Sequence, residues 1–267
     1  MSSAAQRVLI TGSNRGIGRE TARVFAESGA IVAINGRDTD RLEAVRAEFA
    51  DGGFTVFPVA GDIADPDQVP RIVEQAVAAL GGLDVLINNA ALAMRGPFVD
   101  LSPGVVNRIV STNISGTVNL TVQALPHLTE TRGSVVIISS LAGLWGFPLI
   151  SIYAASKMAL TAIAQSMRAE LAADGVHVGI VHVGLTQHDS DKAIIAADGS
   201  RYDLAARPRA DTQIHVARVI HRLVQRRRAR ATLTIAGHVL ELFSRFFPRL
   251  LGVLIRKASA RVRRIAR

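Results

Sequence analysis

Short apolar runs rich in β-branched residues alternate along this chain with longer stretches of helical periodicity. The runs of strand length are Val8–Ile10, Ile31–Ile34, Thr55–Pro58, Val85–Ile87, Val135–Ile138, Val176–Val181 and Thr232–Ile235. Helical spacing of apolar residues is clearest over Gly16–Ser28, Arg41–Ala50 and Gln68–Leu80. Strands that alternate with helices lie parallel and are joined by right-handed crossovers. The pattern predicts an α/β fold with a doubly wound, mostly parallel seven-stranded sheet and helices on both faces.

The composition is that of one large folding unit in a reducing compartment. The chain has 267 residues, 49% of them hydrophobic, and no cysteine. This excludes disulfides, thiolate metal sites and cysteine nucleophiles, and it favours a cytoplasmic protein. The first apolar run comes too early for a secretory signal, and no run reaches the roughly 18 apolar residues of a spanning helix.

A glycine-rich loop follows the first predicted strand and opens the first predicted helix. It reads Thr11-Gly12-Ser13-Asn14-Arg15-Gly16-Ile17-Gly18. Glycines there permit a tight turn and let backbone N–H groups and a helix N-terminus approach a pyrophosphate. Three glycines alone are weak evidence, but their place between strand and helix indicates dinucleotide binding.

The end of the second strand bears on the choice of cofactor. An acidic residue there hydrogen-bonds the adenosine ribose and repels a 2′-phosphate. This chain has Gly36 at that place and Arg37 after it, with Arg15 in the glycine loop. Two guanidiniums can clamp a phosphate, so we predict NADP(H) rather than NAD(H). Neutralisation of Arg37 by the adjacent Asp38 would favour NAD(H) instead.

A tyrosine and a lysine stand four residues apart in the run Tyr153-Ala-Ala-Ser-Lys157, downstream of Ser140. Residues at this spacing share one helix face. A fixed cation near a phenol favours the phenolate, which would make Tyr153 a proton donor and acceptor. Such pairs also arise by chance on solvated helices, so the pair gains meaning only from the other motifs.

Together these motifs resemble the short-chain dehydrogenase/reductase family from about Arg7 to Ile235. Gly12, Gly16 and Gly18 match its glycine loop, and Asp62 matches an aspartate that lies against adenine. Asn88-Asn89-Ala90-Ala91 resembles its Asn-Asn-Ala-Gly segment. Asn113, Ser140, Tyr153 and Lys157 occur in the order of its catalytic tetrad. The resemblance implies a Rossmann-type fold.

The resemblance also implies hydride transfer between a nicotinamide and a carbonyl or alcohol carbon. Tyr153 would exchange the proton with the substrate oxygen while Ser140 hydrogen-bonds that oxygen. Lys157 would bind the nicotinamide ribose and lower the pKa of Tyr153, and Asn113 would hold a water that links Lys157 to solvent. Asn113 could instead stitch a bent helix. The remaining implied cofactor contacts are Asp62, Ile63, Asn89, Ala90, Gly184 and Thr186.

The segment after the sixth strand departs from the family pattern. It reads Val183-Gly184-Leu185-Thr186-Gln187-His188, without the usual proline and with a histidine in the place of a nicotinamide-binding threonine. Backbone groups of Thr186 can still hold the carboxamide. His188 could donate in the threonine's place or be an ordinary loop residue.

Residues 237–267, which we call the tail, extend beyond the last predicted strand. Residues 1–200 carry a net charge of −5, whereas residues 201–267 carry +14. Apolar residues recur at helical steps, with a second helix predicted from Pro248. This stripe comprises Leu240, Phe243, Phe247, Leu250, Leu254, Ala258, Val262 and Ile265. Between them lie Arg245, Arg249, Arg256, Lys257, Arg261, Arg263, Arg264 and Arg267.

Two roles for the tail remain open at this point. A basic amphipathic helix can lie on the anionic inner face of the cell membrane. Alternatively, it docks across a subunit interface or over the substrate cleft. Nucleic acid is a poorer partner because the tail has charge but no recognition motif.

The sequence thus predicts a catalytic domain over 1–236, with a substrate lid over 186–212, and the tail over 237–267. We expect an NADP(H)-dependent oxidoreductase that acts on a small secondary alcohol or carbonyl as a homodimer or homotetramer, with a lipophilic molecule brought by the membrane surface as one candidate substrate. The competing hypotheses are an NAD(H)-preferring enzyme and a non-catalytic dinucleotide-binding sensor or scaffold. No metal is expected, since the seven histidines form no ligand-like cluster. The substrate wall would comprise Ala91–Pro97, Leu141–Ile152 and Gln187–Pro208.

Overall fold

The computed structural model describes residues 5–190, 192–205 and 210–265, with the backbone alone for 258–265. The described strands are β1 (Arg7–Thr11), β2 (Ile31–Gly36), β3 (Val56–Ala60), β4 (Val85–Asn88), β5 (Met94–Arg95), β6 (Ser134–Ser140), β7 (His177–Val183), β8 (Ala193–Ala196), β9 (Arg201–Asp203) and β10 (Arg230–Thr232). The described helices are α1 (Gly16–Glu27), α2 (Thr39–Asp51), α3 (Val69–Leu80), α4 (Pro103–Val110), α5 (Thr117–Glu130), α6 (Ser151–Glu170), α7 (Gln213–Gln225), α8 (Ile235–Phe246) and α9 (Pro248–Ile265). A π-helical segment, Ser111–Gly116, joins α4 to α5.

Seven strands form one parallel sheet in the order β10-β7-β6-β4-β1-β2-β3. The predicted doubly wound α/β fold is confirmed. The strand order reverses between the neighbouring strands β1 and β4. β2 and β3 follow on the side of β1, whereas β6 and β7 follow on the side of β4. Ligands of such sheets bind at the carboxyl ends of the strands beside this reversal. The glycine loop follows β1 at that place.

Helices cover both faces of the sheet and bury two apolar clusters. On one face Phe25 of α1, Phe49 of α2 and Ile220 of α7 pack against β-branched side chains of the central strands. On the other face Ile72 of α3, Leu120 of α5 and Leu160 of α6 do the same. Strands buried on both faces read as unbroken apolar runs, which explains why the sequence revealed them.

The last strand was predicted wrongly. We expected it over Thr232–Ile235, whereas β10 ends at Thr232 and α8 begins at Ile235. Thr234 adopts φ 71° and ψ 148°, a backbone conformation unfavourable for a β-branched residue, and this ends the extended chain. Its hydroxyl caps α8 by accepting from the Gly237 N–H at 3.1 Å. The apolar run therefore spans a strand end and a helix start.

The segment predicted as an irregular lid contains two strands. β8 pairs parallel with β5 and antiparallel with β9, which makes a second, three-stranded sheet. Met94 and Ile195 of this sheet are buried together with Ile109 of α4, and Tyr153 packs against them. The small sheet thus lies beside the predicted catalytic tyrosine. Of the predicted wall, residue 191 and residues 206–208 lie outside the described residues.

The tail forms two helices that meet at a sharp break. α8 ends at Phe246 and α9 begins at Pro248, as the sequence predicted. The predicted single stripe is divided, because Leu240 and Phe243 are half-buried whereas Phe247, Leu250 and Leu254 are exposed. The non-helical backbone of Phe247, with φ −131° and ψ 50°, interrupts the helical phase. The side chains of Ala258, Arg261, Val262, Arg263, Arg264 and Ile265, and all of Arg267, lie outside the described part.

Candidate active site

Two loops at the carboxyl edge of the sheet are tied together by Thr11 and Asn89. The Thr11 hydroxyl accepts from the N–H groups of Asn89 and Ala90 at 3.0 and 2.9 Å. The Asn89 amide donates to the carbonyls of Thr11 and Gly12 at 2.8 and 3.0 Å. Both predicted cofactor residues, Asn89 and Ala90, therefore hold the glycine loop in place.

The glycine loop leaves no room for side chains at two of its glycines. Gly12 has φ 61°, and a Cβ there would lie 2.8 Å from Cα of Ala90. A Cβ on Gly18 would meet the Gly12 carbonyl and lie 2.6 Å from the Asn89 amide nitrogen. Gly16, at φ 62°, starts α1. These glycines are required by the fold of the loop itself.

No described side chain caps the backbone N–H groups in the first turn of α1. Arg15 stands at the N-cap in an extended conformation without a capping bond, and no acidic residue lies in the first turn. The Ser13 hydroxyl faces inward and donates to the Ile10 carbonyl at 2.7 Å. Ile17 packs on the core, and Asn14 lies against Gly36. The N-terminus of α1 is thus available to an anion.

Arg37 lies at the end of β2, and its side chain is 60% exposed. It forms an ion pair with Asp62 at 3.3 Å. Asp38, the residue we considered as its neutraliser, instead caps α2 by accepting from the Arg41 N–H and pairs with the Arg41 guanidinium at 3.2 Å. Ile63, beside Asp62, is buried in the core. Arg37 and Asp62, predicted separately, therefore lie on one surface.

Ser140, Tyr153 and Lys157 come together where β6 ends and α6 begins. The Ser140 side chain hydrogen-bonds the Tyr153 phenol and also accepts from the Ala142 N–H at 3.1 Å. The Lys157 ammonium donates to the Ile138 carbonyl at 2.8 Å and is 3% exposed. It lies 5.8 Å from the centroid of the Tyr153 ring.

Burial dominates the protonation of both groups. It lowers the pKa of Lys157 from 10.5 to about 8. Burial also raises the pKa of Tyr153, although the Ser140 hydrogen bond opposes the rise. We predicted that Lys157 would lower the pKa of Tyr153. The causes of the shift in this structure are desolvation and the Ser140 hydrogen bond, so the influence of Lys157 on the phenol stays a prediction.

Asn113 is fully buried in the π-helical segment and connects three parts of the fold. Its Oδ1 accepts from the Leu92 N–H at 2.8 Å, and its Nδ2 donates to the Leu92 carbonyl at 2.9 Å and to the Ser156 hydroxyl at 3.0 Å. Ser156 immediately precedes Lys157. The side chain thus links the loop after β4 to α6, rather than stitching its own bent helix, and its role as a water holder stays a prediction.

Hydrogen bonds to backbone groups hold the segment that follows β7 in place. The Thr186 hydroxyl donates to the Gly184 carbonyl at 3.2 Å, and Thr186 bridges to Asp211. The two ring nitrogens of His188 lie 3.0 and 3.1 Å from the carbonyls of Asp189 and Ala205. His188 therefore braces the predicted lid segment from within.

Part of the predicted substrate wall faces the tail. Trp145, Phe147 and Met158 line an apolar cavity of about 650 Å³ together with residues of α9, among them Pro248 and Ile255. By contrast, Leu92 and Ile152 pack near Tyr153 with the small sheet. The apolar residues after β6 are thus divided between the catalytic side and the tail.

Sequence reasoning missed several buried polar residues that support the site. Thr11 is one, and Ser139, whose hydroxyl donates to the Lys157 carbonyl at 3.2 Å, is another. His182 is fully buried on β7, with Nδ1 3.2 Å from the Ser140 carbonyl. Their signal in the sequence is a polar residue near the carboxyl end of an otherwise apolar strand.

Comparison with known proteins identifies the family to which this geometry belongs. The family model for short chain dehydrogenases matches residues 6–198. The chain belongs to the short-chain dehydrogenase/reductase family. Members are oxidoreductases that bind nicotinamide dinucleotides, act on small molecules and typically form oligomers. The predicted family membership is confirmed.

Individual relatives agree with the family model. The chain is 39% identical to dehydrogenase/reductase SDR family member 7B of Bos taurus over 202 residues, which is 73% of this chain and 62% of that relative. It is 37% identical to 11-beta-hydroxysteroid dehydrogenase-like 4A of Arabidopsis thaliana over 193 residues, 72% of this chain and 64% of the relative. The matches thus span less than two thirds of these relatives.

Solved structures show the same fold. A short chain dehydrogenase from Burkholderia cenocepacia J2315, crystallised in complex with NADP, is 31% identical, with a TM-score of 0.73 over 85% of this chain and 94% of that one. A short-chain dehydrogenase from Streptomyces avermitilis has a TM-score of 0.81 over 97% of this chain and 99% of that one, at 24% identity. The second similarity concerns the fold alone.

Replacing Lys157 by methionine tests the burial of its charge. Because the folded protein holds this proton less tightly than the unfolded chain, burial destabilises the fold at every pH below about 10.5, and the full cost applies below about pH 8. We expect Lys157→Met to raise the free energy of unfolding by about 2 kcal/mol near neutral pH. The gain should shrink as pH rises towards about 10.5, where both states lose the proton. Urea unfolding at neutral and alkaline pH measures it, and exposed Lys192→Met is the control. A loss of stability at neutral pH would contradict the prediction.

Proposed function

We propose that this protein is an NADP(H)-dependent oxidoreductase that interconverts an alcohol and a carbonyl on a small, lipophilic molecule. The observation that carries the proposal is the convergence of Ser140, Tyr153 and the buried Lys157 beside the glycine loop. The family membership supports the reaction type. The names of the relatives, which include hydroxysteroid dehydrogenase-like proteins, support a lipophilic alcohol or ketone.

The residues at the carboxyl edge fit a dinucleotide. A pyrophosphate would lie against the glycine loop and the N-terminus of α1, where close packing at Gly12 and Gly18 excludes side chains. Asp62 and Ile63 would line the adenine, and Asn89, Ala90, Gly184 and Thr186 the nicotinamide half. When bound, the cofactor supplies or accepts the hydride.

The chain's own residues would handle the proton. In the reductive direction Tyr153 donates its phenolic proton to the substrate oxygen, while Ser140 hydrogen-bonds the same oxygen. The raised pKa of Tyr153 keeps the phenol protonated and able to donate at neutral pH. Lys157, with a pKa of about 8, is mostly charged at neutral pH and can stabilise the phenolate that remains. Asn113 would hold the water through which the proton is replaced.

Removing the phenol tests the proton step. Tyr153→Phe should lower carbonyl reduction by at least about a thousandfold, since general acid catalysis contributes about that much, while NADPH binding stays. The chain's second tyrosine, Tyr202, lies in the predicted lid, so unchanged thermal unfolding and NADPH binding of the Tyr153 variant itself serve as the control. Stopped-flow turnover and nicotinamide fluorescence measure the two quantities. Cofactor binding without turnover in the unmodified protein, over a broad panel of carbonyls, would favour a non-catalytic sensor or scaffold.

The preference for NADP(H) rests on Arg37. Its guanidinium is exposed at the end of β2, no carboxylate occupies Gly36, and Asp38 is engaged by Arg41. A 2′-phosphate at this place would compete with Asp62 for Arg37 and draw a second contact from Arg15.

A cofactor titration tests this preference. Arg37→Gln should raise the Kd for NADPH about tenfold, as expected for one charge-assisted hydrogen bond, and leave the Kd for NADH nearly unchanged. Arg46→Gln, which removes an exposed arginine from α2, is the control. Equal weakening of both cofactors, or tighter binding of NADH by the unmodified protein, would contradict an NADP(H) preference.

We also propose that the tail contacts an anionic membrane peripherally. An exposed apolar surface of α8 favours this contact. Ile235, Val239, Leu242 and Phe246 recur along one side of α8 and are 85%, 49%, 53% and 61% exposed. We call these four residues the α8 stripe. Arg245 lies beside it, with its guanidinium 5.8 Å from the Phe246 ring. No helix within the described ranges is long and apolar enough to cross a bilayer. The stripe is suited to lying in an interface.

Vesicle binding tests the α8 stripe. Leu242→Gln combined with Phe246→Gln should weaken co-sedimentation with vesicles of phosphatidylglycerol and phosphatidylcholine at least tenfold, because two buried apolar side chains are lost. Phe98→Gln combined with Val99→Gln removes two side chains that are as exposed but lie outside the tail. A wild-type protein that stays in the supernatant at low salt would refute the membrane contact.

Self-association is the remaining part of the proposal. We expect a homodimer or homotetramer formed through the helices around Asn113 and Tyr153. Val122 on α5 and Met158 on α6 support this, since they are 60% and 45% exposed on neighbouring helices. Such apolar exposure is typical of a subunit interface.

A further inference from the structure

Five arginines converge on a cleft between α7, β10 and α8. Arg222 comes from α7, Arg226 from the C-cap position directly after it, Arg228 and Arg230 from the chain around β10, and Arg245 from α8. The cleft has a volume of about 560 Å³. We call it the arginine cleft. It lies outside the candidate active site.

The charge in the arginine cleft is largely unbalanced. Among the described residues that line it, Glu241 is the only carboxylate. Glu241 is occupied by Arg230 at 2.6 Å and by the Thr232 hydroxyl at 2.7 Å. The Arg222 guanidinium donates to a backbone carbonyl of its own helix, and all five arginines are exposed. Like charges held this close repel each other, so a bound anion would relieve the repulsion.

The cleft is distinct from the proposed cofactor site. β10 is one edge of the sheet, and β2, which carries Arg37, lies five strands away in the order β10-β7-β6-β4-β1-β2. At roughly 4.8 Å between neighbouring strands, this separates the two by about 24 Å. A cofactor phosphate bound near Arg37 therefore leaves the arginine cleft free.

The rim of the cleft identifies the kind of anion. Leu242 and Phe246 line its α8 side and belong to the exposed α8 stripe. Guanidiniums bind phosphate through two parallel hydrogen bonds. A free phosphate would gain nothing from an adjacent apolar stripe, whereas a phospholipid presents a phosphate next to its acyl chains. Charge and apolar surface thus occur here in the arrangement that a lipid requires.

We propose that the arginine cleft binds the headgroup phosphate of an anionic phospholipid while the α8 stripe lies among the acyl chains. This inference rests on the membrane contact proposed above and names the part of the surface that recognises the lipid. Arg222 in the last turn of α7 and Arg226 at its C-cap, neither of which pairs with Glu241, supply the phosphate contacts.

A pair of charge-matched variants tests the proposal in the full-length protein. Arg222→Gln combined with Arg226→Gln removes two positive charges from the cleft, and Arg71→Gln combined with Arg108→Gln removes two from exposed positions on α3 and α4. With vesicles of phosphatidylglycerol and phosphatidylcholine, we expect the cleft variant to bind about thirtyfold more weakly than wild type, as estimated for two arginines near an anionic surface. The control variant should bind like wild type. Unchanged thermal unfolding and NADPH binding would verify that both variants are folded.

The other possible outcomes would each overturn a named part of the proposal. If wild type binds the vesicles and the cleft variant binds equally well, the headgroup proposal alone is wrong. If both variants weaken equally, net charge rather than the cleft attracts the membrane, and the proposal is also wrong. Loss of inorganic phosphate binding with unchanged vesicle binding would assign the cleft to free phosphate and overturn the lipid. If wild type binds no vesicles, both membrane proposals fail, whereas the oxidoreductase proposal stands or falls by the Tyr153 variant.

Discussion

A buried ammonium constrains the whole catalytic edge of this protein. Lys157 is held by a single carbonyl bond to Ile138, and the Ser139 hydroxyl returns a bond to the Lys157 carbonyl. These two bonds fix α6 to β6, and Tyr153 lies one turn before Lys157 on the same helix face. Burying the charge destabilises the fold, so the core on both sides of the sheet must compensate. The position of the phenol is thus a consequence of how the lysine is enclosed.

A second polar network gives the glycine loop its shape before any ligand arrives. Thr11, Ser13 and Asn89 satisfy backbone groups that the loop would otherwise leave buried and unpaired. Gly12 and Gly18 then allow the neighbouring strands and helix to close on the loop. A preformed loop spends less binding energy on ordering itself, which benefits affinity for any anion that meets the N-terminus of α1.

The sequence predicted those features that depend on local patterns. Apolar runs buried on both faces revealed the strands of the main sheet, and glycine spacing and the order of the tetrad indicated the candidate site. Features that depend on distant partners could not be predicted in this way. β9 has no apolar run and β8 is only four residues long, and both depend on the pairing of β8 with β5 and β9. Likewise, Asp62 pairs with Arg37 across 25 positions. The end of β10 was missed because the unusual backbone of Thr234 interrupts an apolar run without a glycine or proline.

The two helices of the tail line two different surfaces of this molecule, the arginine cleft and the apolar cavity. α8 presents the exposed stripe and one side of the arginine cleft, whereas α9 lines the apolar cavity with Trp145 and Phe147. These two aromatic residues follow β6 and precede α6, the helix that carries Tyr153. The cavity is also lined by Ala154, Ala155 and Met158 of α6 itself, so α9 packs against the catalytic helix on the side away from the small sheet. If α8 lies on a membrane as proposed, a lipophilic substrate that partitions into the bilayer would be concentrated where the enzyme is held. The two helices of the tail would then have different roles, with α8 on the membrane and α9 against the catalytic helix.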